Sequence, residues 1–361
     1  MDVDHATPAG GAAPRERLFT FRSGGWALLL SLILAGGVLA YWAARLPLRT
    51  PTAGDGRHVH SYAFDLSHAQ IPVEGIYAAG FPKDGLPALV NPLALTRNQL
   101  DQFTRDLRRG HQGKFLVGHD RVIGVEIGGQ ARAYPLSILN WHEIVNDTLS
   151  GVPIAVTYNP LCDSAVVFDR RVEDQTLEFG VSGLVYNSNL LMYDRQPEHR
   201  GESLWSQLQF KAVAGPAAAR GAALSLVPAR VVHWADWQAA HPDTTVLAPD
   251  ASRWKLYKRT YEPYFGTDEL RFAVRPLPPD ALPRKTPVLA VWTGARWHVL
   301  TRPMVESNAD ADGVWQATLD DVPVRVSLRK TPVVLWAERE DGEPLTTVSA
   351  FWFAWYAMHG G

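Results

Sequence analysis

Val152-Pro-Ile-Ala-Val-Thr-Tyr158 and, after a short break, Ala165-Val-Val-Phe168 decide the fold class. Both are short runs rich in β-branched and aromatic residues, bounded by turn-forming residues, which is how strands read in sequence. The same signal extends upstream through Val122 to Ile127, the turn Gly128-Gly129 and the run Ala131 to Leu136. A different pattern precedes it. Thr96 stands three residues before Gln99, and Leu100, Phe103 and Leu107 follow at helical spacing, so a capping box and one amphipathic helix are expected there.

A weak internal repeat organises the rest. Val122-Ile-Gly-Val125 and Pro135 are echoed by Val288-Leu-Ala-Val291 and Pro303, with a two-residue difference in spacing. Val152-Pro-Ile-Ala-Val156 is answered by Val322-Pro-Val-Arg-Val326, and Trp234-Ala-Asp-Trp237 with His241 by Trp352-Phe-Ala-Trp355 with His359. From Val152 to Trp234 is 82 positions but from Val322 to Trp352 only 30, so the first half carries an insert over residues 180–231. The expected fold class is mostly β (α+β): two related β-rich lobes from an internal duplication, at 96–250 and 251–361, behind a spacer and lead-in at 45–95.

Before the spacer, residues 26–44 carry no charged side chain. As a helix they would rise about 28 Å, close to the ~30 Å hydrocarbon core, so one transmembrane helix is expected, with residues 1–25 as a cytoplasmic tail. A cleaved signal peptide is the rival reading, because Val38-Leu-Ala40 is a passable cleavage site. Lys plus Arg number 35 against 37 Asp plus Glu, a formal charge of -2, which lacks the positive excess that binds phosphate backbones. Nucleic acid is not expected as a partner. A single cysteine, Cys162, excludes an intramolecular disulfide. No Walker A loop, dinucleotide-binding glycine fingerprint, His-Glu-x-x-His or Gly-x-Ser-x-Gly is present, so no nucleotide cofactor is expected.

Three segments of the first half concentrate polar groups: Asn140-Trp-His-Glu-Ile-Val-Asn-Asp147, Tyr158-Asn-Pro-Leu-Cys-Asp-Ser164, and Asn187-Ser-Asn-Leu-Leu-Met-Tyr-Asp-Arg195 leading to Ser203-Leu-Trp-Ser-Gln207. Cys162 has three readings. As a nucleophile it needs a base, and His142 is the candidate by type, oriented by Asn146 or Asp147. As a soft metal ligand it would join His142 and Met192, a set that suits copper. As a buried thiol it would pack as a small hydrophobe. His142 is equally open to a structural role in a buried hydrogen-bond network. Asn187, Asn189, Trp205 and Arg195 are the candidate substrate-binding residues around it, although an Asp194–Arg195 pair also reads as a solvated ion pair.

These segments, with the C-terminal Phe351-Trp-Phe-Ala-Trp355 stretch, resemble the bacterial domain-of-unknown-function family 3179 (DUF3179) from about Ile123 to the end. The resemblance implies an exported or membrane-anchored protein whose strongest motif is Tyr-Cys-Pro-Leu, sometimes with a second cysteine after the Leu. Here Asn159 stands at the first of those cysteines and only Cys162 remains, so a dithiol or a two-thiolate site lacks its first sulfur. The functional expectation is an extracytoplasmic, periplasmic-side, membrane-anchored protein: a cysteine-dependent envelope enzyme or a soft-metal-handling protein acting on an unknown small molecule. The alternative is a non-catalytic module that binds an envelope polymer or a protein through the insert.

Overall fold

The structure, a computed structural model, describes residues 30–36, 53–109, 114–197 and 201–360. The chain divides into two units, Met1–Pro51 and Thr52–Gly361. In the first, residues 30–36 are helical; the rest of the 26–44 segment and the 1–25 tail lie outside the described residues. Among the described residues no helix is long and apolar enough to cross a membrane.

The second unit is mostly β, with short helices between the strands. Its largest sheet has seven strands in the order Trp297–Thr301, Pro287–Trp292, Thr346–Phe351, Ser164–Asp169, Val152–Asn159, Ile144–Leu149 and Leu89–Val90. Strands from both halves of the sequence therefore share one sheet, joined where Ser349 pairs with Ala165. A five-stranded sheet is built on the hairpin Arg121–Ile127 and Gln130–Pro135, flanked by Ala229–His233 on one side and by Thr245–Leu247 and Ala94–Leu95 on the other. Three strands, Val314–Leu319, Val322–Lys330 and Val333–Arg339, form a separate antiparallel meander.

The lead-in contributes more than a tether. Its strand Ile76–Ala78 pairs with Phe179–Tyr186, and Leu89–Val90 and Ala94–Leu95 close the edges of two other sheets. The expected capping box is formed: Thr96 N donates to Gln99 Oε1 at 2.9 Å and Gln99 N to Thr96 Oγ1 at 3.5 Å, ahead of the helix Arg97–Arg109.

The two halves run through the same elements in the same order and register. In the hairpins, Val122 pairs with Pro135 and Val288 with Thr301, each partner 166 positions on, so Pro135 answers to Thr301 rather than to Pro303. Each of these two residues caps a short helix, Leu136–Leu139 and Arg302–Asn308. In the meanders, Thr148 pairs with Pro153 and Thr318 with Pro323, while Ile154 pairs with Asp169 and Val324 with Arg339, all 170 positions on. Both first turns need a left-handed backbone at two positions, with φ of 50° and 78° at Ser150 and Gly151 and 46° and 63° at Asp320 and Asp321. That geometry matches strand twist and is the standard two-residue hairpin. A closing strand then returns to each hairpin, pairing His233 with Arg121 and Phe351 with Pro287, and a Trp-containing helix follows, Trp234–Ala240 or Trp352–His359.

The insert forms a five-stranded antiparallel sheet in which the lead-in strand Ile76–Ala78 joins Phe179–Tyr186, Asn189–Asp194, Leu204–Ser206 and Lys211–Ala214. It covers the second Trp helix: His359 Nε2 donates to Leu208 O at 2.7 Å and stacks on Trp355 at 4.1 Å. The first Trp helix packs differently. Its Trp237 lies over Gly124, where a Cβ would meet the indole at 2.3 Å, so the strand needs glycine there.

Candidate functional site

In the first meander the ladder stops at Asn159 and Ser164, and residues 160–163 form an open loop; in the second it continues to Lys330 and Val333. The open loop is tied at each step. Cys162 N donates to Asn159 Oδ1 at 3.0 Å, Tyr264 Oη to Leu161 O at 3.2 Å, and Phe351 N to Cys162 O at 2.7 Å. Asp163, at φ 46°, accepts from Arg121 at 2.8 Å and from Tyr158 Oη at 2.6 Å. At the matching position of the second half, His233 Nε2 donates to Pro332 O at 2.9 Å.

The Cys162 side chain is fully buried and its thiol donates to Ser188 O at 3.3 Å. Burial pushes its pKa well above the ordinary range, outweighing the Asn189 amide, which favours the thiolate. It is a neutral thiol at neutral pH, and a weak nucleophile in that state. Beneath it lies a satisfied polar cluster: Asn189 Nδ2 donates to Ser164 Oγ and Gln207 Oε1 at 3.1 and 2.8 Å, and Gln207 Nε2 to Thr157 Oγ1 at 2.9 Å.

His142 is placed elsewhere. Its Nδ1 donates to Pro87 O at 2.7 Å and its Nε2 lies 3.0 Å from Tyr257 Oη, so both ring nitrogens are engaged and neither hydrogen-bonds Cys162. Burial lowers its pKa, which keeps the ring neutral and makes Nε2 the acceptor from Tyr257. Asp147 accepts from Arg132 and Tyr134 at 2.7 and 2.8 Å and does not contact His142 through any hydrogen bond. Asn146 is spent on Phe179, bonding its N–H and its carbonyl at 2.8 Å each.

Of the insert residues, Asn189 meets the thiol, and Met192 and Trp205 share its hydrophobic cluster. Trp205 is 1 % exposed and its indole donates to Asp194 at 3.2 Å, so it presents no open face. Asn187 ties the loop at Arg275, donating to its carbonyl at 3.0 Å and accepting from its N–H at 2.8 Å. Arg195 bridges Glu178 and Asp84 at 2.7 and 3.0 Å. Among the described residues no group of three or more His, Cys, Asp or Glu side chains is arranged to hold a metal ion.

The group that sequence reading passed over is Glu143, treated only as the neighbour of His142. It is 7 % exposed, and among the described residues its carboxyl makes no hydrogen bond or ion pair. Burial alone raises its pKa, up to about 8. It lines a cavity of about 70 Å³ with Asn159, Pro160 and Leu161 of the cysteine loop and with Tyr261. Its backbone is left-handed, at φ 54°, and Tyr158 N donates to its carbonyl at 2.8 Å. At the position 170 residues on, Gly313 has φ 76° and its carbonyl accepts from Leu328 N at 2.8 Å, the same bond. A Cβ on Gly313 would meet Leu328 O at 2.6 Å, which shows why that position favours glycine. Glu143 occupies it with a side chain, a strain of about 1–3 kcal/mol of the kind concentrated at functional sites. The signal was in the sequence: the Val-Pro alignment that sets Cys162 against Pro332 also sets Glu143 against Gly313.

The fold and its site define a mostly β protein in which a loop-lined cavity holds an unpartnered buried carboxyl. The chain belongs to the family described as protein of unknown function (DUF3179), whose match spans residues 83–339. No curated protein and no solved structure matches the chain.

Proposed function

We propose that this protein is an acid–base enzyme for a small molecule, with Glu143 as the proton-transferring group of the cavity under the cysteine loop. One observation carries the reading: a carboxyl without a hydrogen bond or ion pair among the described residues, held in a backbone conformation that the matching position assigns to glycine, lines a partly open cavity. A carboxyl whose pKa burial moves to about 8 exchanges its proton near neutral pH, the condition for general acid–base work. Tyr261 and Asn159 supply polar groups in the same wall. Cys162 then acts through structure, as a neutral thiol anchoring the loop that forms that wall. A nucleophilic Cys162 or a Cys162–His142–Met192 copper site draws less support, since the thiol is held protonated and both His142 nitrogens are occupied.

The matched registers of the two halves support an origin by internal duplication, with the insert added to one copy. The uncharged run at 26–44 supports attachment of the body to a membrane on the extracytoplasmic side.

Infrared spectroscopy of the full chain tests the acid–base reading. A protonated-carboxyl band should persist through neutral pH, fade with a midpoint of about 8, and be missing from Glu143→Gln. A band that disappears with the ordinary carboxyls, near pH 4–5, would sink it.

A further inference from the structure

The two hairpins bring equivalent residues to one cleft of about 500 Å³, whose lining includes His119 and Lys285, Arg121 and Pro287, and Leu136 and Arg302. Each pair is related by the 166-position shift of the hairpin registers. The lining is symmetric in backbone and asymmetric in chemistry.

Most charges of this cleft are accounted for. Arg121 is paired with Asp163 at 2.8 Å and Arg302 with Glu306 at 2.9 Å, and Asp120 accepts from Val117 N at 2.7 Å. Glu262 is solvent-exposed. Lys285 differs. It is 7 % exposed, and its Nζ meets only neutral groups: Tyr264 O at 2.6 Å, Thr267 Oγ1 at 3.3 Å and the Tyr264 ring at 3.3 Å. Asp268 and Glu269 act on it from the same loop, but neither forms an ion pair with it, and burial is the larger influence. A buried ammonium without a carboxylate partner is costly, and a negative group entering the open side of the cleft removes that cost.

We infer that this cleft binds the anionic group, carboxylate or phosphate, of a small molecule, with Lys285 as its counter-charge and Arg302 at the mouth. The inference stands apart from the role of Glu143, which lines the cavity on the other side of the loop and shares only Tyr261 with this cleft.

Calorimetric titration of the full chain at low ionic strength, with sodium phosphate and separately with sodium succinate, tests it. Saturable binding of at least one is expected; phosphate alone marks a phosphoryl ligand and succinate alone a carboxylate. Lys285→Met should weaken binding about tenfold or more, the scale of one charge-assisted hydrogen bond, while Lys285→Arg and Glu143→Gln keep it. Binding of neither ion, or unchanged binding in Lys285→Met, overturns the inference. If Lys285→Met does not fold, the wild-type chain still decides: the bound ion should slow acetylation of Lys285 by acetic anhydride, and an unchanged rate overturns the proposal.

Discussion

The two meanders, residues 144–169 and 314–339, share every register and differ at one end. Their near turns are interchangeable in pattern, Thr148-Leu-Ser-Gly-Val-Pro153 against Thr318-Leu-Asp-Asp-Val-Pro323. At the far end one closes in a tight turn at Thr331-Pro332, and the other opens into the cysteine loop, with Glu143 where its counterpart has Gly313. A glycine at a left-handed position costs little; a buried, unpartnered glutamate there costs backbone strain and desolvation together. Of the two meanders, the one whose turn has opened carries the buried glutamate at such a position, and the proposed chemistry lies there.

The largest effect that could break this contrast is the ionisation of Glu143. Its folded pKa lies above its unfolded value of about 4.5, so the fold loses stability as the pH rises from there and the loss levels off above about 8. Glu143→Gln should therefore match the wild type near pH 4 and exceed it at about pH 9 by up to about 5 kcal/mol, read from urea midpoints. Equal midpoints at about pH 9 would mean that the carboxyl is not desolvated. The mirror substitution, Gly313→Glu, should destabilise the second meander by about 1–3 kcal/mol at any pH, since strain rather than titration dominates there.

A middle-sized effect sharpens the role of the thiol. Cys162→Ser places a stronger donor and acceptor in an enclosed site and should cost about 1–3 kcal/mol of stability. It should leave the Glu143 infrared band in place; loss of that band together with activity would return Cys162 to the chemistry. The smallest effect concerns the near turns. Asp321→Gly copies Gly151 at a φ of 63° and should stabilise the chain by less than about 1 kcal/mol in thermal melts. A marked destabilisation would show that the two turns are not equivalent.

Much of the fold was legible. The capping box of Thr96 and Gln99, the Gly128-Gly129 hairpin and the Val-Pro strands are local patterns, in which a residue's partner lies a few positions away. The site was legible only in part. Cys162 and Asn189 do meet, but His142 is drawn off by Pro87 of the lead-in and by Tyr257, which precedes the second hairpin, and neither carries a motif. Trp205 and Arg195 resembled ligand contacts by residue type, yet Asp194, Glu178 and Asp84 engage them.

Sequence alone determined the β-rich class, the hairpin turns and the lack of any intramolecular disulfide, because β-branched runs, turn residues and a cysteine count act through short-range geometry. Tertiary structure alone decided that strands of both halves share a sheet, that His142 and Cys162 do not hydrogen-bond, and that Glu143 and Lys285 are buried without forming ion pairs among the described residues. Burial and desolvation are sums over neighbours distant in the chain, so a residue's type can announce its chemistry while only its packing sets its charge.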